Sequence, residues 1–273
     1  MGIRTFTGQH KIRNFIVLGV VLVVFLALAM PYIYIHFIEG PPPAKLSLPP
    51  ASATKTTTGS SATSVNGILN VGKGSVVGYR VSEVLIGQDS TAVGRTSKVW
   101  GSIDVSGANI TKATFSANMA SVVSDQSQRN AQFDGRIMDV SQYPTATFTL
   151  TSPIKLGSIP NVGTVTKASA TGELTMHGAT KPVTFTVSIE RTASGVFALA
   201  EIPIKFGTWN IANPSIGGFV TTANNGTLEV LLSVTSAKGN SPSSGGTSRG
   251  GGGGGTPITV PSTTVPGLKL PSS

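Results

Sequence analysis

Between residues 75 and 235, apolar and polar side chains alternate with a period of two in segment after segment, as half-buried strands require. Thr145–Thr151 places Ala146, Phe148 and Leu150 on one face, and Pro182–Arg191 sets Val183, Phe185, Val187 and Ile189 against Thr184, Thr186 and Ser188. Ala113–Val123 aligns Phe115, Ala117 and Met119. Lys167–Met176 aligns Ala168, Ala170, Leu174 and Met176, and Thr227–Thr235 aligns Leu228, Val230, Leu232 and Val234. Val99–Ile110, with Ile103 and Val105 opposite Trp100 and Asp104, and Val196–Phe206 add two more. Ser75–Ile86 has two possible registers, one burying Val77, Tyr79, Val81 and Leu85, the other Val76, Val84 and Ile86. Eight such segments at hairpin spacing predict an all-β protein, an antiparallel barrel or a sandwich. An eight-stranded barrel can fill its interior with side chains or hold one small ligand. Inner faces rich in Ala, Gly, Val and Leu lean toward a cavity, although closely packed layers use small residues too.

One stretch breaks the alternation. Ser124–Pro144 reads as a helix start, with Asp125 placed to accept from a free first-turn amide and Gln128 three residues later. Phe133 and Ile137, four apart, share a face if the helix runs that far. Asp134-Gly135 reads as a turn or helix stop, and Tyr143-Pro144 returns the chain to extended geometry. The expected position of this insert is against one end of the barrel, as a lid over a cavity or a packed plug.

Outside the alternating region the pattern changes completely. Phe15–Ile38 is a run of apolar residues with no formally charged side chain, long enough at ~1.5 Å per residue to cross a ~30 Å hydrocarbon core. Arg4, Lys11 and Arg13 precede it and Glu39 follows, which predicts a cytoplasmic N-terminus and an extracytoplasmic domain. Tyr32 and Tyr34 suit the outer interface, and Pro31 is a possible kink or early helix end. Ala27-Leu28-Ala29 resembles a signal-peptide cleavage site, so secretion after cleavage is the alternative. Continuation of the run through Ile38 favours an uncleaved anchor. The expected organisation is a basic tail (1–14), a transmembrane helix (15–38), a Pro/Ser/Thr-rich tether (39–64), the barrel domain (65–238) and a disordered Gly/Pro/Ser/Thr-rich tail (239–273).

The chain's formal charge of +9 lies mostly outside the domain. Residues 65–238 carry 13 Lys and Arg against 10 Asp and Glu, a net of +3 without a basic cluster, which argues against nucleic-acid binding. The absence of cysteine excludes disulfides, thiolate nucleophiles and Cys-ligated metals. His177 is the single histidine of the domain, no Gly-x-Ser-x-Gly is present, and Ser152-Pro153-Ile154-Lys155 matches Ser-x-x-Lys at a strand end where the chemistry needs a helix. Asp125, Asp134 and Asp139 lack a Ca²⁺-loop pattern. No catalytic residue, metal site or cofactor is predicted. A hydrolase built on His177 is the weakest of the readings.

Three segments carry a family likeness: SDQSQRNAQFDGRIMDVSQYPTATFTLTSPIKL, TGELTMHGATKPVTF and IPIKFGTWNIANPS. Together they resemble the YceI family over about residues 73–237. The resemblance implies an eight-stranded lipocalin-like barrel whose apolar interior binds a polyisoprenoid such as an isoprenoid quinone, in an exported setting and without agreed catalytic residues. The anchor, tether and Gly-rich tail depart from the usual soluble members. For such a ligand the candidate slot residues are Phe115, Met119, Phe148, Leu174, Met176 and Phe185, with Phe133, Ile137 and Met138 closing the mouth. Arg129, Arg136 and Tyr143 are candidate head-group donors. Plain core filling and structural ion pairing are the competing roles for these side chains. A stalked cell-envelope interaction module with a filled β core is the competing function.

Overall fold

The computed structural model describes residues 7–33, 41–50, 65–192 and 195–236. The expected disordered tail, the tether beyond Pro50, and Arg4, Tyr34 and Glu39 lie outside the described residues.

Strand β1 (Gly67–Val71) and β2 (Val76–Leu85) lie along the same edge of β13 (Asn225–Ser236), pairing Val71↔Val234 and Tyr79↔Leu228. They are one long strand interrupted at Gly72–Ser75. Where the ladder breaks, the Ser75 hydroxyl accepts from Ser233 N (2.9 Å) and donates to Ser233 O (3.3 Å), so β13 keeps its backbone partners. Strands β3 (Gln88–Thr96) and β4 (Val99–Ser106) likewise form one bent strand, antiparallel to the first. The sheet continues through β5 (Asn109–Asn118) to β7 (Thr145–Leu150), while the short β6 (Val123–Ser124) pairs with β3 and the short β8 (Ile154–Lys155) with β5. It then passes through β9 (Val165–Met176), β10 (Ala179–Arg191) and β11 (Val196–Lys205) to β13, while β12 (Val220–Thr222) pairs with β2. The β1–β13 pairing closes an eight-stranded antiparallel barrel when the two bent strands count once each.

Two strands of the barrel wall, β1 and β3, escaped the sequence pattern, as did the short β8 and β12. In β3 the inward positions are Ala92, Gly94 and Thr96, too small or polar to register as an apolar face. β1 is only five residues long. The predicted strand Val99–Ile110 is divided by a turn at Gly107-Ala108, and the predicted Ala113–Val123 ends at Asn118. There the Asn118 side chain caps a tight 3₁₀ turn over Met119–Ser121 by accepting from Ala120 N (3.0 Å). In β2 the buried register is Val77, Tyr79, Val81 and Leu85, with Glu83 on the same face.

Helix α1 (Thr7–Ile33) continues through Pro31, and its apolar side chains from Phe15 to Met30 are exposed along its length. The helix is long and apolar enough to cross a membrane, a property it shares with signal sequences.

Residues 41–50, expected to be the start of a free tether, lie against the barrel wall. Glu229 faces outward from β13 yet is 1% exposed, held between Arg80 Nε (2.8 Å) and Arg95 Nη2 (2.7 Å). The same arginines reach over the segment: Arg80 donates from its Nη2 to Pro43 O (2.7 Å), and Arg95 Nη2, shared with Glu229, also donates to Ala44 O. Lys45 pairs with Glu201 at 3.1 Å. Glu201, Glu229, Gly78 and Arg95 are cross-strand neighbours in one row over β11, β13, β2 and β3. Gly78 matters to this row because a Cβ there would lie 2.7 Å from Arg95 Cγ, blocking the path of Arg95 to Glu229.

Candidate functional site

The small inward side chains leave the barrel partly empty. A cavity of about 510 Å³ occupies one end, within the ~300–1,000 Å³ usual for small-molecule sites. Its wall is built from alternate residues of the strands: Val77, Tyr79 and Val81 on β2, Phe115 and Ala117 on β5, Phe148 on β7, Leu174 and Met176 on β9, Ile202 and Ile204 on β11, and Leu228 and Val230 on β13. Glycines on the inner wall make room for rings. Tyr79 lies over Gly94, where a Cβ would approach the ring to 2.4 Å, and Phe148 lies over Gly172 at 2.5 Å.

The insert forms one side of the mouth. Helix α2 (Ser127–Gln132) runs into a single π-helical turn over Phe133–Ile137, a device common at functional sites. This widening puts Phe133, Ile137 and Met138 on the cavity wall. The expected helix stop at Asp134-Gly135 is absent, because the helical turns continue to Ile137 and the chain reverses at Asp139 (φ 42). Asp125 does not cap the helix either. Gln126 occupies that position without a side-chain bond, while Asp125 pairs with Arg129 one turn on. Asn130 secures the start instead, its Oδ1 accepting from Ser124 N (2.7 Å) and Ser124 Oγ (2.8 Å). On the opposite side of the mouth, Pro214, Ile216 and Val220 belong to the segment between β11 and β13. Arg136 Nη2 bridges the two sides by donating to Pro214 O (2.8 Å), and its Nε bonds Gln132 (2.9 Å).

Ten of the twelve candidate ligand residues line the cavity: Phe115, Met119, Phe133, Ile137, Met138, Phe148, Leu174, Met176, Arg129 and Arg136. The other two do not. Phe185 shares the inner face of its strand but is not part of the cavity lining, its ring edge-on to Phe148 with centroids 5.4 Å apart. Tyr143 is turned onto the β9–β10 hairpin, against Gly178 and edge-on to His177 (5.0 Å). The sequence reading missed Glu83 and Tyr79. Arg129 spans Glu83 (2.8 Å) and Asp125 at the mouth, so its charge is matched within the protein. Tyr79 stacks on Phe133 (5.1 Å), joining wall to cap. His177 is engaged through Nδ1 with Trp209 O (3.0 Å), and among the described residues no cluster of metal-ligating side chains occurs.

Burial pushes the Tyr79 phenol up to about 12, against the opposing pull of Arg129. The folded chain therefore holds this proton above pH 10 while the unfolded chain releases it, so stability falls as pH rises from about 10 to 12. The expected loss is on the order of 2 kcal/mol. Melting curves across this window check it, and Tyr79→Phe is expected to flatten the dependence.

A closed eight-stranded antiparallel barrel with an apolar cavity and a capped mouth is the class of fold these residues define. The YceI-like domain profile matches residues 70–234, and the chain belongs to the YceI-like family. No curated protein matches it. Among solved structures, a polyisoprenoid binding domain from Saccharophagus degradans implicated in plant cell wall breakdown superposes with a TM-score of 0.53 at 15% identity, over 63% of this chain and 99% of that one. Burkholderia cenocepacia BcnA gives a TM-score of 0.45 at 23% identity, over 58% and 96%. The Campylobacter jejuni YCEI protein gives 0.39 at 20% identity, over 51% and 83%.

Proposed function

We propose that this protein is a membrane-anchored, extracytoplasmic lipid-binding protein that holds a polyisoprenoid, such as an isoprenoid quinone, in the barrel cavity. The observation that carries the reading is the apolar cavity of about 510 Å³, open at one end to a polar collar. It suits an apolar chain inside and a head group at the mouth, and it favours this reading over an interaction module with a filled core. Family membership and the polyisoprenoid-binding description of the Saccharophagus degradans domain support the ligand class. The role is non-enzymatic carriage, storage or stress protection. Phe115, Met119, Phe148, Leu174 and Met176 contact the chain, and Phe133, Ile137 and Met138 cover it. Helix α1 serves as the anchor, with the basic residues before it on the cytoplasmic side.

The collar also favours a neutral head group. Arg129 is matched by Glu83 and Asp125, and Arg136 is committed to Gln132 and Pro214, so a phosphate at the mouth would have to displace existing partners. Competition on the purified full chain is expected to show a prenylquinone or polyprenol binding about tenfold tighter than the polyprenyl phosphate of equal length, a difference of about 1.4 kcal/mol. Equal or tighter phosphate binding contradicts the neutral collar. Arg136→Ala, which unlatches the cap from Pro214, is expected to speed ligand release several-fold in stopped-flow chase while leaving Tm nearly unchanged.

A further inference from the structure

The mouth carries an apolar rim that extends outward from the cavity wall. Phe219 is 67% exposed, Ile86 53% and Ile216 47%, all on loop tips beside the opening. They are fixed to one another through the backbone. Ile86 N donates to Phe219 O (2.8 Å), and Ile216 N to Val220 O (2.9 Å) with Phe219 N returning to Ile216 O (3.0 Å). Ile86 and Gly87 turn the β2–β3 hairpin with φ values of 47° and 79°. Left-handed backbone at such a turn suits Asn, Asp or Gly and disfavours a β-branched residue. An isoleucine there places an exposed apolar side chain at a conformational cost. The companion segment Asn210–Thr222 contains no Asp, Glu, Lys or Arg.

A bilayer is within reach of this rim. Seven residues, 34–40, separate the described end of α1 from the segment held on the barrel wall, and the eight steps across them span at most about 29 Å. Pro43 is bonded to Arg80, which precedes Leu85 by five residues, or ~17 Å along the strand. With α1 in a membrane, the barrel is held at the membrane surface, where an uncharged, apolar rim finds a solvent that water does not offer.

We propose that Ile86, Ile216 and Phe219 dip into the surface of the anchoring bilayer, so that an apolar ligand passes between membrane and cavity without crossing water. This rests on the anchor and lipid-binding readings above. The chain has no cysteine, so single labels are clean. Thr221→Cys places an environment-sensitive fluorophore beside the rim while keeping all three apolar side chains, and Ser158→Cys places one in the loop before β9, at the far end of the barrel. The labelled full chain is reconstituted into phosphatidylcholine vesicles containing spin-labelled lipid.

Quenching at position 221 is expected to exceed that at 158 several-fold, and Phe219→Ser or Ile86→Asn in the Thr221→Cys background is expected to reduce it. Ile86→Asn suits the turn, so it separates insertion from folding. Equal quenching at 221 and 158, or quenching unchanged by both rim substitutions, overturns the proposal. The readout needs no bound ligand. Strong quenching with an empty cavity retains the docking and removes the lipid reading, whereas equal quenching with a filled cavity does the reverse.

Discussion

Replacing Glu229 with alanine is expected to lower stability by roughly 3 kcal/mol, the low end of the range for breaking a buried ion pair. The carboxylate is 1% exposed, but Arg80 and Arg95 keep 16% and 24% exposure and regain water once it is gone. For a domain of this size the loss corresponds to a fall in Tm of roughly 6–12 °C. The same substitution loosens residues 41–50, since the arginines that Glu229 orients are the ones that hold Pro43 and Ala44. Limited proteolysis is expected to cut that segment earlier in the variant. Lys45→Ala provides the contrast. Its pair with Glu201 is 62% and 45% exposed and contributes at most about 1 kcal/mol. Equal Tm losses from the two variants would show that the buried cluster is not what secures the segment.

Ala117→Trp is expected to have the largest effect on ligand retention. Ala117 is 3% exposed and lines the cavity beside Phe115 and Phe148, so an indole there fills the space proposed for the ligand. Overpacking a filled core costs about 1–3 kcal/mol, but the open volume accepts the ring with less strain. Co-purified lipid is expected to fall at least tenfold, read as a lipid-to-protein ratio by mass spectrometry, with Tm within a few degrees of the parent. Undiminished lipid in a folded variant would place the ligand outside this cavity.

The barrel was legible wherever side chains of contrasting polarity alternate. Strand β10 shows this best, with Val183, Phe185, Val187 and Ile189 on one face. Strand β3 was invisible for the reason that makes the cavity: Ala92 and Gly94 face inward and leave room for the Tyr79 ring and the cavity. The insert was recognisable as a break in the pattern, and Phe133, Ile137 and Met138 were assigned to the cap from it. Its π-helical turn was not, because i, i+4 spacing assumes regular α-helix. Tyr143 and Phe185 were named on residue type and neighbourhood. Which way a ring turns depends on contacts made far along the chain, with Gly178 and Phe148. The Arg80–Glu229–Arg95 cluster had no sequence signature, since its members come from three strands and are brought together only by register.

That same register also gives residues 41–50 of the Pro/Ser/Thr-rich stretch a place on the barrel wall. Leu46, Leu48 and Pro49 are half-buried, and the backbone carbonyls of Pro43 and Ala44 serve as acceptors for the two arginines. A segment with no charged partner of its own thus gains a fixed position from groups on the barrel. Eight chain steps between Ile33 and Pro41 then cap their separation at about 29 Å.

Organic extraction of the full chain purified from its native membranes, followed by mass spectrometry, tests the central claim most directly. The account predicts a polyisoprenoid with a neutral head group, released in near one-to-one ratio with protein. A barrel that arrives empty, and that takes up no added prenylquinone or polyprenol, would contradict it.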